Sequence, residues 1–536
     1  MRRTDHHRTS PRALALAAGL VTQLAAAGAY AAPPAAEALV NTKCAACHTA
    51  KGDGKWDRIS DSRRTPEGWD MTVARMGFAH GVKLSHEERS AIVKYLSDAY
   101  GLSPDETVAH RYIIERQPSV VEHHDNKVIG DTCARCHSYA RVAVQRRTED
   151  DWRKLAHFHV GQFPTVEIQA GGRDRNWFEL ATGDAAVALG KVYGYDSASW
   201  AKWKAQKPVD MSGTWRLVGH KPGTGAYEGS ATIQRTGDDR YSVAMELRYE
   251  NGATESATGS SIVYTGHEWR ATVQQGGRNV HQVFSLQPGG AVLTGRWFEE
   301  DNDAVGGDLK AVRAGSAATV LSVQPAMLRS GSRASVTING TGLDGDVDLG
   351  PGVKVRRVVA RSADRVTLEV DVAAGAAIGA RTVSVGKAQG ADALKVFKRI
   401  DYVKITPDHP MARVGGAGGS TPKVPAQLEA IAYSAGADGK TGTADDLRLG
   451  VVDASWSLAN LNKAAEEMRD VEYAGRIEKN GLFVTNDAGP NPDRKYGANN
   501  VGELRVTATV KDGGRTVKAT APLIVTVQRW NDPPIR

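Results

Sequence analysis

The sequence predicts a multidomain α plus all-β protein, in which a mostly helical N-terminal region is followed by a small antiparallel β-barrel and two immunoglobulin-like sandwiches. Three observations support this prediction. The chain has 536 residues, a length typical of about three to five domains. Two Cys-x-x-Cys-His motifs lie within residues 44–137. The spacing of apolar residues changes near Val209 from a helical period to strand alternation.

Residues 1–31 are typical of a signal peptide for export. Arginines precede an apolar run over residues 13–29, and Ala29-Tyr30-Ala31 is a small-x-small cleavage site. The run is weakly hydrophobic and contains Gln23, which argues against a permanent membrane anchor. No other segment is apolar enough to cross a bilayer, so we expect an exported chain without a membrane span.

The two Cys-x-x-Cys-His motifs occupy residues 44–48 and 133–137. Two thiols three positions apart can form thioethers to both vinyl groups of one porphyrin, and the adjacent His then lies beneath the iron. A redox thiol pair or half a zinc site needs no His in that position. We therefore predict two covalent haem c groups, attached through Cys44, Cys47, Cys133 and Cys136, with His48 and His137 as proximal iron ligands. No other Cys remains for a disulfide or a Cys-rich metal site.

An internal repeat predicts the distal iron ligands. Residues 64–69 and 147–152 share Arg-Thr, an acidic residue and Trp. Seven residues after each Trp, which is two helical turns and the same helix face, the sequence has Met76 and His159. Met and His are both accepted sixth ligands to haem iron. We predict that His48 and Met76 bind the first iron, and that His137 and His159 bind the second.

Other side chains could take these distal positions. His80 and His157 lie close in sequence to Met76 and His159 and remain alternatives. Met71 is expected to be a packing residue. Ordinary surface or hydrogen-bonded histidines are expected at His86, His110, His123 and His124.

The two ligand sets predict different reduction potentials. A Met ligand tends to raise the potential of a c-type haem, whereas a second imidazole donates more strongly to ferric iron. Electrons would then run from the haem at Cys133 and Cys136 to the haem at Cys44 and Cys47.

Residues 36–208 are expected to form a dihaem cytochrome c domain with two repeats, at about residues 36–107 and 108–208. Ser85 and Glu88 predict a capping box at the start of one helix. Each half is too small to hold a core without its porphyrin, so haem would also be a structural component. A c-type haem protein with an export signal is expected in the periplasm.

Residues 209–313 are predicted to form the barrel, because short alternating strands are separated by Gly-rich turns. Trp215 and Trp297 could line a ligand cavity, but a core position is the expected one. Residues 314–400 and 401–536 have the strand spacing of immunoglobulin-like sandwiches. Their predicted strands include residues 335–343, 366–370 and 382–385 in the first, and 451–458, 504–510 and 522–527 in the second.

The β domains contain no catalytic constellation: a Ser-His-Asp arrangement, a P-loop and an H-E-x-x-H motif are all lacking. Residues 438–446 place carboxylates between glycines and could bind calcium. The spacing departs from that of an EF-hand and the distal Glu is missing, so a solvated turn is favoured.

The net charge of +7 comes from basic residues that are spread along the chain. Nucleic-acid binding is therefore not expected, whereas an electrostatic contact with an acidic redox partner is compatible with this charge.

The order of these parts resembles the alpha (dihaem) subunit of quinohemoprotein amine dehydrogenase. The resemblance covers essentially the whole mature chain, with both haem motifs and with Met76 and His159 at matching positions of the repeat. The leader and the total length are also similar. It implies a periplasmic heterotrimer that oxidises primary amines to aldehydes and ammonia. It also implies a beta-propeller beta subunit and a small gamma subunit that carries cysteine tryptophylquinone.

The same resemblance implies that electrons pass through the two haems to a soluble cupredoxin or cytochrome c. No catalytic residue is expected on this chain, because the quinone and the catalytic base would lie on another subunit. Three alternatives stay open from the residues alone: a dihaem subunit of another periplasmic dehydrogenase, a dihaem peroxidase-like enzyme with an open iron, and a surface adhesion or carbohydrate-binding protein. The adhesion alternative leaves the haem motifs unexplained.

Overall fold

The computed structural model describes residues 36–117, 120–124, 126–168, 173–418 and 421–527. The predicted signal peptide lies outside these residues. The described chain is α-helical at its start and mostly β afterwards, which agrees with the predicted class.

Short helices build the N-terminal region. The capping box predicted at Ser85 is present: the Ser85 hydroxyl accepts from the Glu88 amide at 3.1 Å, and the Glu88 carboxylate accepts from the Ser85 amide at 2.9 Å. The helices are α1 (Ala36–Lys43), α2 (Pro66–His80), α3 (His86–Ala99), α4 (Pro104–Thr107), α5 (Lys127–Cys133), α6 (Ala140–Ala143), α7 (Glu149–Gln162), α8 (Trp177–Thr182), α9 (Asp184–Val192) and α10 (Ala198–Lys204), with a 3-10 helix at Val108–Ile113.

A two-stranded antiparallel sheet joins the two sequence repeats. Arg63 in one strand lies opposite Arg146 in the other, so equivalent parts of the repeats face each other. The buried Glu106 carboxylate accepts from Arg63 at 2.8 and 2.9 Å and lies 3.2 Å from Arg146. One carboxylate thus neutralises part of the charge of two buried guanidinium groups at this junction. The strands of this region are β1 (Ala50–Gly52), β2 (Lys55–Trp56), β3 (Ser62–Arg64) and β4 (Gln145–Arg147), and the joining sheet is β3–β4.

Eight strands form a closed antiparallel barrel, as predicted. Its alternating side chains fill the interior, and Trp215, Trp269 and Trp297 are fully buried in one core. The two predicted tryptophans therefore lie in the barrel core. The strands are β5 (Gly213–Lys221), β6 (Gly225–Gly237), β7 (Arg240–Tyr249), β8 (Thr254–Tyr264), β9 (Glu268–Gln275), β10 (Arg278–Leu286), β11 (Val292–Glu299) and β12 (Asn302–Arg313).

The next part of the chain packs two four-stranded sheets around one core. The sheet orders are β13-β15-β18-β17 and β14-β20-β19-β16. Both sheets contribute to the core, for example through Ile338 and Val396. The strands are β13 (Thr319–Gln324), β14 (Met327–Arg329), β15 (Arg333–Thr341), β16 (Val347–Asp348), β17 (Val353–Arg361), β18 (Arg365–Val372), β19 (Gly379–Val385) and β20 (Ala388–Phe397).

The last part has one four-stranded and two three-stranded sheets, with orders β22-β30-β29-β26, β21-β24-β25 and β23-β28-β27. The elements are β21 (Tyr402–Thr406), β22 (Met411–Arg413), β23 (Ala426–Gln427), β24 (Glu429–Ser434), β25 (Leu447–Val452), β26 (Ser455–Asn460), α11 (Lys463–Glu467), α12 (Asp470–Tyr473), β27 (Gly475–Ile477), β28 (Leu482–Thr485), β29 (Gly502–Asp512) and β30 (Arg515–Thr526), with 3-10 turns at Gly416–Gly418 and Lys495–Gly497.

The single strand predicted over residues 451–458 is wrong. The chain leaves one sheet at Val452 and enters another at Ser455. The apolar run continues across this crossover because both sheets face the same core, so periodicity alone did not show the break.

Buried ion pairs connect the N-terminal region to the barrel. The Glu268 carboxylate on β9 accepts from Arg111 at 2.6 and 3.1 Å and from Arg270 at 2.7 Å. Arg270 also bonds Glu67, in the first turn of α2. The positive charges of Arg111 and Arg270 lower the pKa of Glu268 against the effect of its burial. The barrel therefore holds the start of helix α2 in place.

Among the described residues, no helix combines the length and apolar character that a membrane crossing requires.

Candidate dihaem site

Helices α2 and α7 begin in the same way in the two repeats. Thr65 and Thr148 are their N-caps, and each hydroxyl accepts from a backbone amide three residues later. The following tryptophans, Trp69 and Trp152, are 1% and 2% exposed, so both helices are anchored by the same buried side chain. The shared Arg-Thr…Trp pattern thus encodes a helix start and its anchor.

The anchoring tryptophans make equivalent hydrogen bonds. The Trp69 indole N–H donates to the Tyr100 carbonyl at 2.9 Å, and the Trp152 indole N–H donates to the Tyr193 carbonyl at 3.3 Å. Tyr193 directly follows α9 just as Tyr100 directly follows α3. Helix α9 and Tyr193 therefore take the same place in the second repeat as α3 and Tyr100 take in the first.

The four predicted thioether residues occupy equivalent positions in the two repeats. Cys44 and Cys133 are partly buried beside the Trp69 and Trp152 clusters, whereas Cys47 and Cys136 are exposed. All four thiols are free of disulfide bonds. Each motif thus presents one inner and one outer sulfur at the edge of an apolar cluster.

The surroundings of the inner thiols differ from those of a redox motif. Redox motifs use a thiolate, and their environment lowers the thiol pKa. Here burial, followed by the neighbouring Cys136, raises the pKa of Cys133 to about 12. Burial and then Cys47 likewise raise the pKa of Cys44. Burial thus favours the neutral form of both inner thiols.

Three of the four predicted axial residues are histidines whose Nδ1 atom bonds a backbone carbonyl. The Nδ1 atom of His48 lies 2.9 Å from the Asp57 oxygen, and that of His137 lies 2.9 Å from the Ser138 oxygen. In His159 the Nδ1 atom lies 2.8 Å from the carbonyl of Leu155, one turn earlier in α7. With Nδ1–H donating, the Nε2 lone pair is left for a metal, which is the usual arrangement of a histidine ligand.

Electrostatics favour neutral imidazoles at the second site. Burial lowers the pKa of His137, and the positive charges of Arg141 and His159 lower it further. Burial also lowers the pKa of His159, and Arg147 and Arg141 add to this effect. The effect of His159 on the pKa of His137 indicates that the two rings are close enough for their charges to interact. A neutral pair of imidazoles is the form that ligates haem iron.

The distal residues and their alternatives differ in exposure. Met76 and His159 are partly buried, whereas His80 and His157 are exposed. His157 packs edge-on against Phe178, with ring centroids 5.0 Å apart. The sulfur of Met71 accepts from Arg141, which gives it a contact between the repeats.

Two of the histidines expected to be ordinary surface or hydrogen-bonded side chains have specific surroundings. His124 is exposed, stacks on Tyr139 with centroids 4.9 Å apart, and covers Gly130, where an added Cβ would lie 1.8 Å from the His124 ring. Among the described residues, the Nδ1 atom of His110 is buried without a hydrogen-bond partner.

Sequence reasoning missed Glu122, which organises the chain after the second motif. Its carboxylate accepts from the Tyr139 amide at 2.6 Å, from the Ala140 amide at 3.0 Å and from the Ser138 hydroxyl. Ser138 in turn supplies the carbonyl that bonds His137. Burial raises the pKa of Glu122, but these hydrogen bonds lower it overall. No spacing rule identifies such a residue, because it acts through tertiary contacts.

A carboxylate of the acidic loop of residues 438–446 bonds protein groups inside and outside the loop. The Asp446 carboxylate accepts from Tyr402 at 2.7 Å and from the amides of Gly436 and Thr443. In the described residues, no group of three or more His, Cys, Asp and Glu side chains is placed to hold a metal ion.

These residues fit a pair of covalently attached haems. Each repeat offers two free thiols, one proximal histidine with an uncommitted Nε2, and a distal Met or His on an equivalent helix. A porphyrin supplies four of the six iron ligands, so two protein ligands for each iron are sufficient.

Several solved structures are distantly similar to parts of this chain. The redesigned beta barrel mFAP1 is 14% identical, with a TM-score of 0.17, over 19% of this chain and 91% of that chain. SGBP-B of the Bacteroides ovatus mixed-linkage glucan utilization locus is 13% identical over 42% of this chain and 56% of that chain, with a TM-score of 0.17. The zebrafish RET cadherin-like domains 1 to 4 are 8% identical over 59% and 66%, with a TM-score of 0.16. None of the curated proteins compared with this chain matches it significantly.

Four family profiles match consecutive parts of the chain. Residues 34–200 match the haem-binding part of the quinohemoprotein amine dehydrogenase A alpha subunit. Residues 208–314, 317–398 and 403–535 match domains II, III and IV of the alpha subunit of the same enzyme. The chain therefore belongs to the family of quinohemoprotein amine dehydrogenase alpha subunits.

Proposed function

We propose that this chain is the dihaem electron-transfer subunit of a periplasmic quinohemoprotein amine dehydrogenase. The observation that carries the proposal is the pair of equivalent sites, each with two free thiols and a proximal histidine, in a chain of this family. When bound, the haems supply the one-electron chemistry that carries electrons from a quinone on another subunit to a soluble acceptor.

The residues of each repeat hold and tune one iron. Cys44 and Cys47 would attach the porphyrin of the first site, and His48 and Met76 would ligate its iron. At the second site, Cys133 and Cys136 would attach the porphyrin, and His137 and His159 would ligate the iron. A second imidazole stabilises ferric iron more than a thioether does, so the second site would have the lower potential and electrons would run downhill from it to the first.

The partners are a beta-propeller beta subunit and a small gamma subunit with cysteine tryptophylquinone, in a heterotrimer that oxidises primary amines. The acceptor is a cupredoxin or a cytochrome c. The support for these partners is the family to which the chain belongs. Export through residues 1–31 would place the complex in the periplasm.

We divide the mature chain into a dihaem domain (residues 36–208), a barrel (209–313) and two immunoglobulin-like domains (314–400 and 401–536). The two sheets around one core in residues 319–397 support the sandwich class of the third domain. The function of the β domains in this proposal is to hold the dihaem domain and to contact the partner subunits.

The experiment measures whether a primary amine reduces the haems of the purified complex. A tagged chain is isolated from the periplasm of its native host with whatever subunits accompany it, and the haem absorption is followed after a primary amine is added. We expect small quinone-bearing and propeller subunits to co-purify, and both haems to become reduced. A tertiary amine is the matched control, because it lacks the N–H groups that a quinone needs to form an imine.

Equal reduction by both amines, or a chain that purifies without partners, would contradict the proposal. A high-spin, five-coordinate iron in the oxidised complex would instead favour a peroxidase-like enzyme, since such an enzyme needs an open iron position.

A further inference from the structure

Four arginines from the two repeats lie close enough together for their charges to interact. Arg64 and Arg75 come from the first repeat, and Arg141 and Arg147 come from the second. We refer to these four residues as the arginine cluster. Hydrogen bonds and ring contacts of its members link the two repeats.

The first-repeat arginines share one neutral hydroxyl. The Nη1 atom of Arg64 donates to the Thr72 hydroxyl at 2.6 Å, and the Nη2 atom of Arg75 donates to it at 3.3 Å. The Arg64 guanidinium also lies 5.2 Å from the centroid of the Trp69 ring. Within the part of the chain that the structure describes, neither guanidinium bonds a carboxylate, and the Arg75 Nε atom is buried without a partner.

The Gln145 side chain bonds the guanidinium of Arg147 and the backbone carbonyl of Arg141. The Gln145 side-chain oxygen accepts from the Arg147 Nε atom at 2.9 Å, and its nitrogen donates to the Arg141 carbonyl at 2.9 Å. Arg147 also bonds Asp151, a buried carboxylate in the first turn of α7. Gln145 pairs with Arg64 across the sheet that joins the repeats.

The positive charges of Arg64 and Arg75 therefore have no bonded carboxylate among the described residues. Burial and then the charges of Arg147 and Arg75 lower the pKa of Arg64 well below its ordinary value. Arginine stays protonated in proteins even so, and both side chains are half-buried. A bound anion would compensate these charges, and planar guanidinium groups match a carboxylate best.

We propose that the arginine cluster binds the propionate carboxylates of both haems and so couples the two redox sites. The inference rests on the proposed function, because it requires haem at both motifs. Arg75 precedes Met76 in α2, and its guanidinium lies 4.6 Å from the ring centroid of Phe158, which precedes His159 in α7. The cluster therefore lies near both predicted distal ligands. A positive charge near a haem favours its reduced form, and removing the charge lowers the reduction potential.

The test is a spectroelectrochemical titration of both haems in the full haem-loaded chain. Arg64→Gln and Arg75→Gln remove a charge, whereas Arg64→Lys and Arg75→Lys keep it. Arg153→Gln is the matched control, because Arg153 also carries a charge, on helix α7, but bonds Glu149 and the Thr182 carbonyl instead of the cluster. Substitutions are made at two positions, Arg64 and Arg75, so the test remains decisive if the Gln variant of only one of them folds.

We expect each Gln variant to disfavour reduction of at least one haem by about tenfold or more, which is about 59 mV for one electron. The Lys variants and Arg153→Gln should shift the equilibrium by much less. Gln variants that keep both haems and match Arg153→Gln would overturn the inference. So would a structure of the loaded chain in which an inorganic anion occupies the cluster and the propionates lie elsewhere. Absence of covalent haem from the unaltered chain would be a different failure, because it would remove the proposed function itself.

Discussion

The Arg75 guanidinium lies 4.6 Å from the centroid of the Phe158 ring. Arg75 precedes Met76 in α2, and Phe158 precedes His159 in α7. The two predicted distal ligands are therefore each one residue away from a direct contact between the repeats. If both haems bind as proposed, this contact lies at the junction across which electrons would pass between them.

The distal ligands can be tested one at a time. Met76→Ala and His159→Ala should each turn one haem from low-spin to high-spin, because the sixth ligand is lost. Magnetic circular dichroism measures this change. His80→Ala and His157→Ala are the controls, since both side chains are exposed. A high-spin signal in His80→Ala but not in Met76→Ala would make His80 the distal ligand of the first site. The same result for His157→Ala against His159→Ala would make His157 the distal ligand of the second site.

The order of the two reduction potentials is a second prediction. The site with His137 and His159 should have the lower midpoint, because two imidazoles stabilise ferric iron. A redox titration that resolves the two haems checks this, and His159→Met should raise the lower midpoint. A higher midpoint at the bis-His site would reverse the proposed direction of electron flow.

The buried ion pairs at Glu268 predict a large loss of stability. Glu268→Gln removes the buried carboxylate that Arg111 and Arg270 share and should lower the free energy of unfolding by about 3–5 kcal/mol. Arg111 keeps its contact with Glu115, and Arg270 keeps its contact with Glu67. Thermal or denaturant unfolding measures the loss. The matched control is Glu300→Gln, a partly exposed carboxylate on the same barrel that should cost far less. Equal effects of the two substitutions would contradict the role of the ion pairs.

The parts of the fold and of the candidate site that the sequence predicts are those determined by residues close together in the chain. The Arg-Thr…Trp pattern, the capping box at Ser85 and the alternation along β7 depend on near neighbours in the chain, and these elements were placed correctly. Glu122, the arginine cluster and the sheet change at Val452 depend on residues far apart in sequence. A single sequence carries no direct signal for such tertiary contacts.

A pair of residues between the barrel and the last part of the chain predicts a pH effect. The Nε2 atom of His220 lies 2.6 Å from the Glu429 carboxylate. Burial lowers the pKa of His220, but Glu429, Asp308 and Glu250 raise it overall. A raised folded pKa contributes stability that is complete below the unfolded value of about 6.5 and is lost as pH rises through the folded value.

The melting temperature should therefore decline less steeply with rising pH in His220→Gln than in the unaltered chain. Calorimetry across mildly acid to mildly alkaline pH measures the difference. His409→Gln serves as the control, because His409 is a surface residue outside this contact. An identical pH dependence in all three proteins would exclude a contribution from the His220–Glu429 pair.

Everything proposed for the dihaem region depends on two covalent porphyrins, and a haem count is the most direct measurement. The mature chain is purified, and its pyridine haemochrome spectrum gives the number of haems for each protein chain. Mass spectrometry of the tryptic peptides then shows which cysteines carry a haem. We predict two c-type haems on each chain, at Cys44 and Cys47 and at Cys133 and Cys136. Peptides with four free thiols would contradict the account, and one occupied pair would leave only a single-haem cytochrome.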